Sequence, residues 1–399
     1  MVTFSQNNCY NGLNYLTVLS LFKVSTCHSL RGGTILGLSK PFLDAISTDS
    51  VRGPLNLITD VPGVSVGQTT FNSGTHHTGV TVVKPTADNI FLNKLPAAAH
   101  VINGFGKSTG LVQINELGTL ETPIVLTNTF AVGTAETALA EDMMAENPDI
   151  GDTTSTVNPV IMECNDGDIN DIRDVFITKK DVLNTLHHTG ESFDEGTVGA
   201  GVGMSCYDLK GGIGSASRVI KIDGKSFTMG ALVLSNYGFL RDLNIYNIPV
   251  GEKLAAFKAE QKQKEKGSIV TILATDIPFN SRQLTRIAKR ASVGITRTGA
   301  FIGNGSGEIV LAFSTANRIA HYPKTELSSQ AAITDDKIDR YFRMTVSVVE
   351  EAILSVLTHA TTVTDRKGNP RLSLHDALKN YQAEHQDPDI ARLQDQLGI

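Results

Sequence analysis

Short runs of β-branched and apolar residues recur along the chain. They are GVTVVKP (79–85), PIVLTN (123–128), PVIMECN (159–165), FTMGALVLSN (227–236), SIVTILATD (268–276) and EIVLAFST (308–315). Runs of this kind, bounded by glycine, proline or polar residues, read as strands. Between and after them, AETALAEDMMAEN (135–147), NSRQLTRIAKRASVGITRTG (280–299) and DKIDRYFRMTVSVVEEAILSVLTHA (336–360) place apolar residues three and four apart. That spacing predicts helices. Asp336 is the predicted N-cap of the last, and Gly299 the predicted stop of the second. Strands and helices mix without strict βαβ alternation, which predicts an α+β fold of layers with buried, mixed sheets. The polar C-terminal stretch QAEHQDPDIARLQDQLGI reads as a surface helix or tail. No internal repeat is present.

Glycine changes this picture. The chain has 36 glycines and no tryptophan, and the glycines gather in three places. These are VGAGVGMSCYDLKGGIGSASR (198–218), SNYGFLRDLNIYNIPVG (235–251) and GAFIGNGSGEIVLAFST (299–315). Such clusters mark tight turns and close backbone approach. Three of them beside strand-like runs suggest one loop-built site.

Composition narrows the function classes. The 399 residues carry a formal net charge of -6, with 41% hydrophobic and 19% charged residues, ordinary for a globular chain. Without a basic tract, neither nucleic acid nor an anionic membrane is the expected partner. QKQKEK (261–266) reads as a solvated loop or helix end. No apolar run reaches the about 18 residues that span a bilayer. LNYLTVLSLF (13–22) lacks a preceding basic segment, so residues 1–50 read as an N-terminal extension to a single domain over 51–399, and the expected compartment is cytoplasmic. The four cysteines form no CxxC pair, and Cys164 and Cys206 read as small buried apolar residues.

Several chemistries fit poorly. GAGVG (199–203) is GxGxG and lacks the dinucleotide or Walker context. The adjacent pairs His76–His77 and His187–His188 cannot face one metal from one element, and no HExxH occurs, so no metal is expected. No GxSxG elbow is present. Serine chemistry of another kind remains. Ser235 ends the run GALVL and opens SNYG, where a buried strand meets a glycine turn. Thr275 and Asp276 end SIVTILA in the same manner. Strands whose polar ends emerge together would bring a hydroxyl and a carboxylate to Ser235; a plain turn and a strand cap are the structural alternatives.

From about Gly53 to Asp376 the chain resembles the self-processing aminopeptidases that include the L-aminopeptidase/D-esterase and the β-peptidyl aminopeptidases. The resemblance rests on NLITDVPGVSVG (56–67), AAHVINGFGKSTGLVQINELGTLETPIVLTNTFAVGTA (98–135), ECNDGDIND (163–171), GTVGAGVGMSCYDLKGGIGSASR (196–218), GALVLSNYG (230–238) and SIVTILATDIP (268–278). It implies a layered αββα-type sandwich in which two processed chains share one core, a homotetramer of αβ units, small peptides or amino-acid amides and esters as substrates, and no cofactor. It also implies a nucleophile freed by cleavage of the chain's own backbone. Ser235 is the residue matched to that nucleophile, which puts the cut at Leu234–Ser235, with an α chain of 1–234 and a β chain of 235–399. Leu234 is bulkier than the residue expected before the cut.

The chemistry of such a nucleophile is self-consistent. A serine hydroxyl needs a base. A free α-amine, with a pKa of roughly 7.7–8, is partly neutral near pH 7 and tethered to the hydroxyl it must activate. Before cleavage that nitrogen is an amide, so processing creates the catalyst. Thr275 and Asp276 would orient the nucleophile. Asn236, Asn128 and the backbone of the 199–203 loop are candidate oxyanion donors. Phe130 stands where the family uses a tyrosine. Glu163 and Asp166 would either hold a substrate ammonium group or brace their own loop. Two other readings stay open: an acyltransferase of the ornithine acetyltransferase type, and an uncut, non-catalytic binding or scaffold relative.

Overall fold

The computed structural model describes residues 49–255 and 267–399. Nearly all of the expected 1–50 extension, its apolar stretch and QKQKEK therefore lie outside the described residues. Among the described residues, no helix is long and apolar enough to cross a membrane.

All six strand-like runs form strands, and the structure adds three long strands that the patterning missed, beside several two-residue ones. In chain order the principal strands are β1 (Ser65–Ser73), β2 (His76–Lys84), β3 (Asn93–Gly104), β4 (Ile124–Asn128), β5 (Val160–Cys164), β6 (Gly212–Ile222), β7 (Lys225–Asn236), β8 (Ser268–Thr275) and β9 (Gly307–Ser314). The helices used below are α1 (Val132–Glu146), α2 (Lys179–His187), α3 (Ser281–Arg297), α4 (Asp339–His359), α5 (Leu374–His385) and α6 (Pro388–Leu397). The missed strands β1 and β6 are rich in Gly, Ser, Thr and Asn, and β3 carries a proline and three consecutive alanines, so periodicity hides them.

Strands β1-β2-β4-β5 make a four-stranded sheet, and β6-β7-β8-β9-β3 form the body of an eight-stranded one. Both are mixed: β4–β5 and β8–β9 are parallel, whereas β6–β7, β7–β8 and β9–β3 are antiparallel. The short strand Ser50–Val51 extends the large sheet by pairing with Ile220 and Val219 of β6.

Side-chain alternation assigns the two faces of the large sheet. Ala231 and Val233 of β7, Ile269 and Leu273 of β8 and Val310 of β9 belong to one apolar cluster, shared with α3, α4, α5 and α6. Leu232 and Leu234, Val270 and Ile272, and Ile309 and Leu311 belong to a second, which joins the other sheet and α1 and α2. Period-two alternation sends these sets to opposite faces. The layers are helix, sheet, sheet, helix, as the αββα expectation required.

Helix ends follow side-chain chemistry. Asn280 caps α3, its Oδ1 accepting from Gln283 N at 2.9 Å, and Gly299 follows the helix at a φ of 109°. Asp336 does not cap α4. It lies in a 3-10 turn over Asp335–Lys337, and α4 starts at Asp339 with Ile338 in the cap position. The polar C-terminus folds into α5 and α6, and α6 buries Ile390, Leu393 and Leu397.

Candidate active site

Register across three strands of the large sheet builds the site. Asn236, the last residue of β7, pairs with Ser268, the first of β8, and Ser268 pairs with Gly307, the first of β9. The three sit side by side with the parity of Leu234, Val270 and Ile309, so the row faces the other sheet. There β5 closes the gap: Cys164 Sγ donates to the carbonyl oxygens of Leu234 and Ser268, each at 3.5 Å.

Ser268 is buried, and its hydroxyl donates to the carbonyl oxygen of Gly267, the residue before it, at 2.7 Å. Gly307 N–H donates to that same oxygen at 3.1 Å. The Gly267–Ser268 peptide thus has its carbonyl polarised by an amide of the next strand and its own hydroxyl folded back onto it. On the other side, the Asn236 carboxamide is fixed at both ends. Its Oδ1 accepts from Ser205 N at 2.8 Å, and its Nδ2 donates to the Asn165 carbonyl at 2.9 Å. An amide nitrogen carries two hydrogens, so one N–H beyond the Asn165 bond can serve a ligand.

Acidic groups surround this row. Glu163 is buried, and its carboxylate accepts from Lys107 N at 2.8 Å and from the Thr129 hydroxyl, both neutral donors. Ser306 and Glu308 flank Gly307, both fully buried, and the Ser306 hydroxyl donates to the Glu308 carboxylate. Burial pushes the Cys164 thiol well up, and Glu163, Glu308 and Asp166 push it further in the same direction. A field of three carboxylates suits a cation, above all an ammonium group. Burial also moves the Asp166 carboxyl up, to about 6, against hydrogen bonds from Thr78, Asn170 and Asn128.

Several expected residues lie elsewhere. Thr275 and Asp276 are at the far end of the sheet from Ser235: β7 and β8 run antiparallel, so Thr275 pairs with Met229 and not with Ser235. Their polar atoms cap the strand. The Thr275 hydroxyl donates to the Thr228 carbonyl at 2.6 Å, and Asp276 Oδ1 accepts from Thr228 N at 2.5 Å. Ser235 is fully buried between Gly212 of β6 and Ile269 of β8, and its hydroxyl has no hydrogen-bond partner among the described residues. The Leu234–Ser235 peptide lies inside a ladder bonded on both sides, and a cut there would free an amine within the sheet.

Asn128 keeps a local duty. Its Oδ1 accepts from Phe130 N and Ala131 N at 3.0 and 3.1 Å, and its Nδ2 donates to Thr78 Oγ1 at 2.8 Å. Phe130 is 55% exposed on the turn that follows. Sequence reasoning missed Gly267, Ser268, Ser306 and Glu308. The available signal was a Gly-Ser pair opening a strand, and a Ser-Gly-Glu triplet opening another.

Comparisons with known proteins give the chain's family. The family model described as Peptidase family S58 matches residues 56–371. The β-peptidyl aminopeptidase BapA of Sphingosinicella microcystinivorans is 35% identical over 359 residues, covering 82% of this chain and 89% of that protein. A solved protein of Pyrococcus horikoshii shares 45% identity at a TM-score of 0.79, over 84% of this chain and 95% of that one. The L-aminopeptidase D-Ala-esterase/amidase of Ochrobactrum anthropi, described as a prototype of the serine aminopeptidases and a variant of the Ntn hydrolase fold, shares 34% identity. Its TM-score is 0.78, with 88% and 98% covered.

Proposed function

The chain belongs to peptidase family S58 and is a serine-type aminopeptidase with an N-terminal nucleophile, and we propose that this nucleophile is Ser268, freed by cleavage of the Gly267–Ser268 bond. The observation that carries the assignment is the Ser268 hydroxyl 2.7 Å from the Gly267 carbonyl oxygen, in a peptide unit that Gly307 N–H already polarises. Attack of Ser268 Oγ on the Gly267 carbonyl carbon forms a C–O bond, and the hydroxyl proton passes to the departing Ser268 nitrogen. Breakage of the C–N bond leaves an ester and a free α-amine. Water then hydrolyses the ester, leaving a carboxylate on Gly267 and restoring the hydroxyl.

In turnover the new amine acts as base for its own hydroxyl, as its pKa near neutrality allows. The Asn236 carboxamide stabilises the oxyanion of the acyl intermediate. Glu163 accepts the substrate's ammonium group, which fits release of N-terminal residues from short peptides, amides or esters. Ser306 and Glu308 hold the start of β9 beside the nucleophile.

Intact mass and N-terminal sequencing of the wild type, Ser268→Ala and Ser235→Ala test the assignment. The wild type and Ser235→Ala should each give two chains, the second reading from residue 268, while Ser268→Ala stays whole. A new N-terminus at Ser235, or cleavage of Ser268→Ala at the same bond, would overturn it.

A further inference from the structure

Lys210 belongs to the short strand Leu209–Lys210, is fully buried, and among the described residues is partnered by no side-chain carboxylate. Its ammonium group instead donates to three backbone carbonyls: Gly201 at 2.9 Å, Met204 at 3.0 Å and Gly211 at 2.7 Å. Burying a cation on neutral acceptors alone is costly, and burial, with the nearby Arg371, lowers this ammonium to about 7. A cation in that position therefore calls for an explanation.

The three carbonyls supply one. Gly201 and Met204 belong to the glycine-rich loop, and Gly211 packs against the Ser235 carbonyl, leaving no room for a Cβ. The residue after Met204 is Ser205, whose N–H is the donor that orients Asn236. Arg371 grips the same loop from outside, donating to Ser205 Oγ at 3.0 Å and to the Asp208 carbonyl at 3.3 Å. A continuous path thus runs from Lys210 through Met204 and Ser205 to the carboxamide that pairs with the Ser268 strand.

We propose that Lys210 is a positioning residue for turnover: it pins the 201–205 loop so that Ser205 N–H holds the Asn236 carboxamide towards the oxyanion at Ser268. The inference rests on the assignment of Ser268 and Asn236 above. It differs from a purely structural clamp in one respect, that its effect on rate passes through Asn236.

A double-mutant cycle on matured enzyme, read with alanine p-nitroanilide, tests it. Lys210→Met should lower kcat about 10- to 100-fold, part of what an oxyanion donor contributes, with KM within about threefold. In an Asn236→Ala background the same substitution should cost no more than about twofold. If Lys210→Met is insoluble, Lys210→Gln carries the same cycle, since it keeps a donor but no charge. An unchanged kcat, or an equal loss in both backgrounds, would overturn the role of Lys210. An Asn236→Ala single variant with wild-type kcat would instead refute the underlying site assignment.

Discussion

Gly267 lies against the backbone of the neighbouring strand so closely that a Cβ there would fall 2.5 Å from the Cα of Tyr237 and 2.5 Å from the Asn236 carbonyl oxygen. Neither atom is the end of a flexible side chain, so the backbone would have to give. Gly267→Ala should therefore shift the scissile peptide relative to Gly307 N–H and slow self-cleavage about 10- to 100-fold, as small misplacements of reacting groups do. Once cut, the residue carries only the α chain's new carboxylate, so kcat of the matured fraction should stay near wild type. A gel time course of maturation, followed by assay of the cleaved fraction, separates the two effects. Cleavage at the wild-type rate would count against the Gly267–Ser268 bond.

Asn236 joins three segments: β7, the glycine loop through Ser205 and the 165–171 loop through Asn165. Asn236→Ala should lower kcat by about 10²–10³, the usual loss of an oxyanion donor, with little change in KM. It should also destabilise the fold by about 1–3 kcal/mol, because the Ser205 N–H and the Asn165 carbonyl lose buried partners. Steady-state kinetics and urea denaturation measure both.

Glu163 has neutral donors on both oxygens, so its negative charge is available to a cationic ligand. Glu163→Gln keeps the shape and an acceptor for Lys107 N but removes the charge. KM for substrates with a free N-terminal amine should rise about 10- to 100-fold, since a hydrogen bond to a charged group contributes about 1.5–3 kcal/mol. Equal KM values for the parent and the variant would return Glu163 to a loop-bracing role.

Much of the fold was legible in the sequence: the six apolar runs are strands, and Asn236 and Glu163, singled out there, are also residues of the site proposed above. What escaped was register. Thr275 and Ser235 both end strands, but antiparallel pairing sets them at opposite ends of the sheet, and no local pattern encodes that direction. An N-terminal nucleophile must begin a strand, so that its freed amine projects from the ladder; Ser235 comes near a strand's end, Ser268 at a strand's beginning. Ser306 read as part of a glycine turn and Glu308 as the start of a strand, because only the parallel β8–β9 pairing, across 38 residues from Ser268 to Ser306, brings them beside Ser268. The consequence is testable. Asp276→Asn should leave kcat within about twofold, while Thr275→Val should cost about 1 kcal/mol through the lost bond to the Thr228 carbonyl.

Asp166 should leave its mark on stability as a function of pH. Burial raises its carboxyl from 3.8 to about 6, outweighing hydrogen bonds that favour the ionised form, among them Asn170 Nδ2 donating to Oδ2 at 3.1 Å. The folded state thus keeps a proton that the unfolded chain releases first. The group's contribution to stability is complete below about pH 3.8 and is lost as pH rises through about 6. Above that, the native protein holds a buried charge whose cost corresponds to about 3 kcal/mol at most. Asp166→Asn is nearly isosteric, which matters because Gly203 packs on this side chain. It removes the titration, so the variant should gain up to about 3 kcal/mol over the parent at pH 8 and nothing at pH 3.5. Urea denaturation of both proteins across that range gives the difference, in which groups common to both cancel. A gain that is the same at every pH would show that the carboxyl does not titrate in this window.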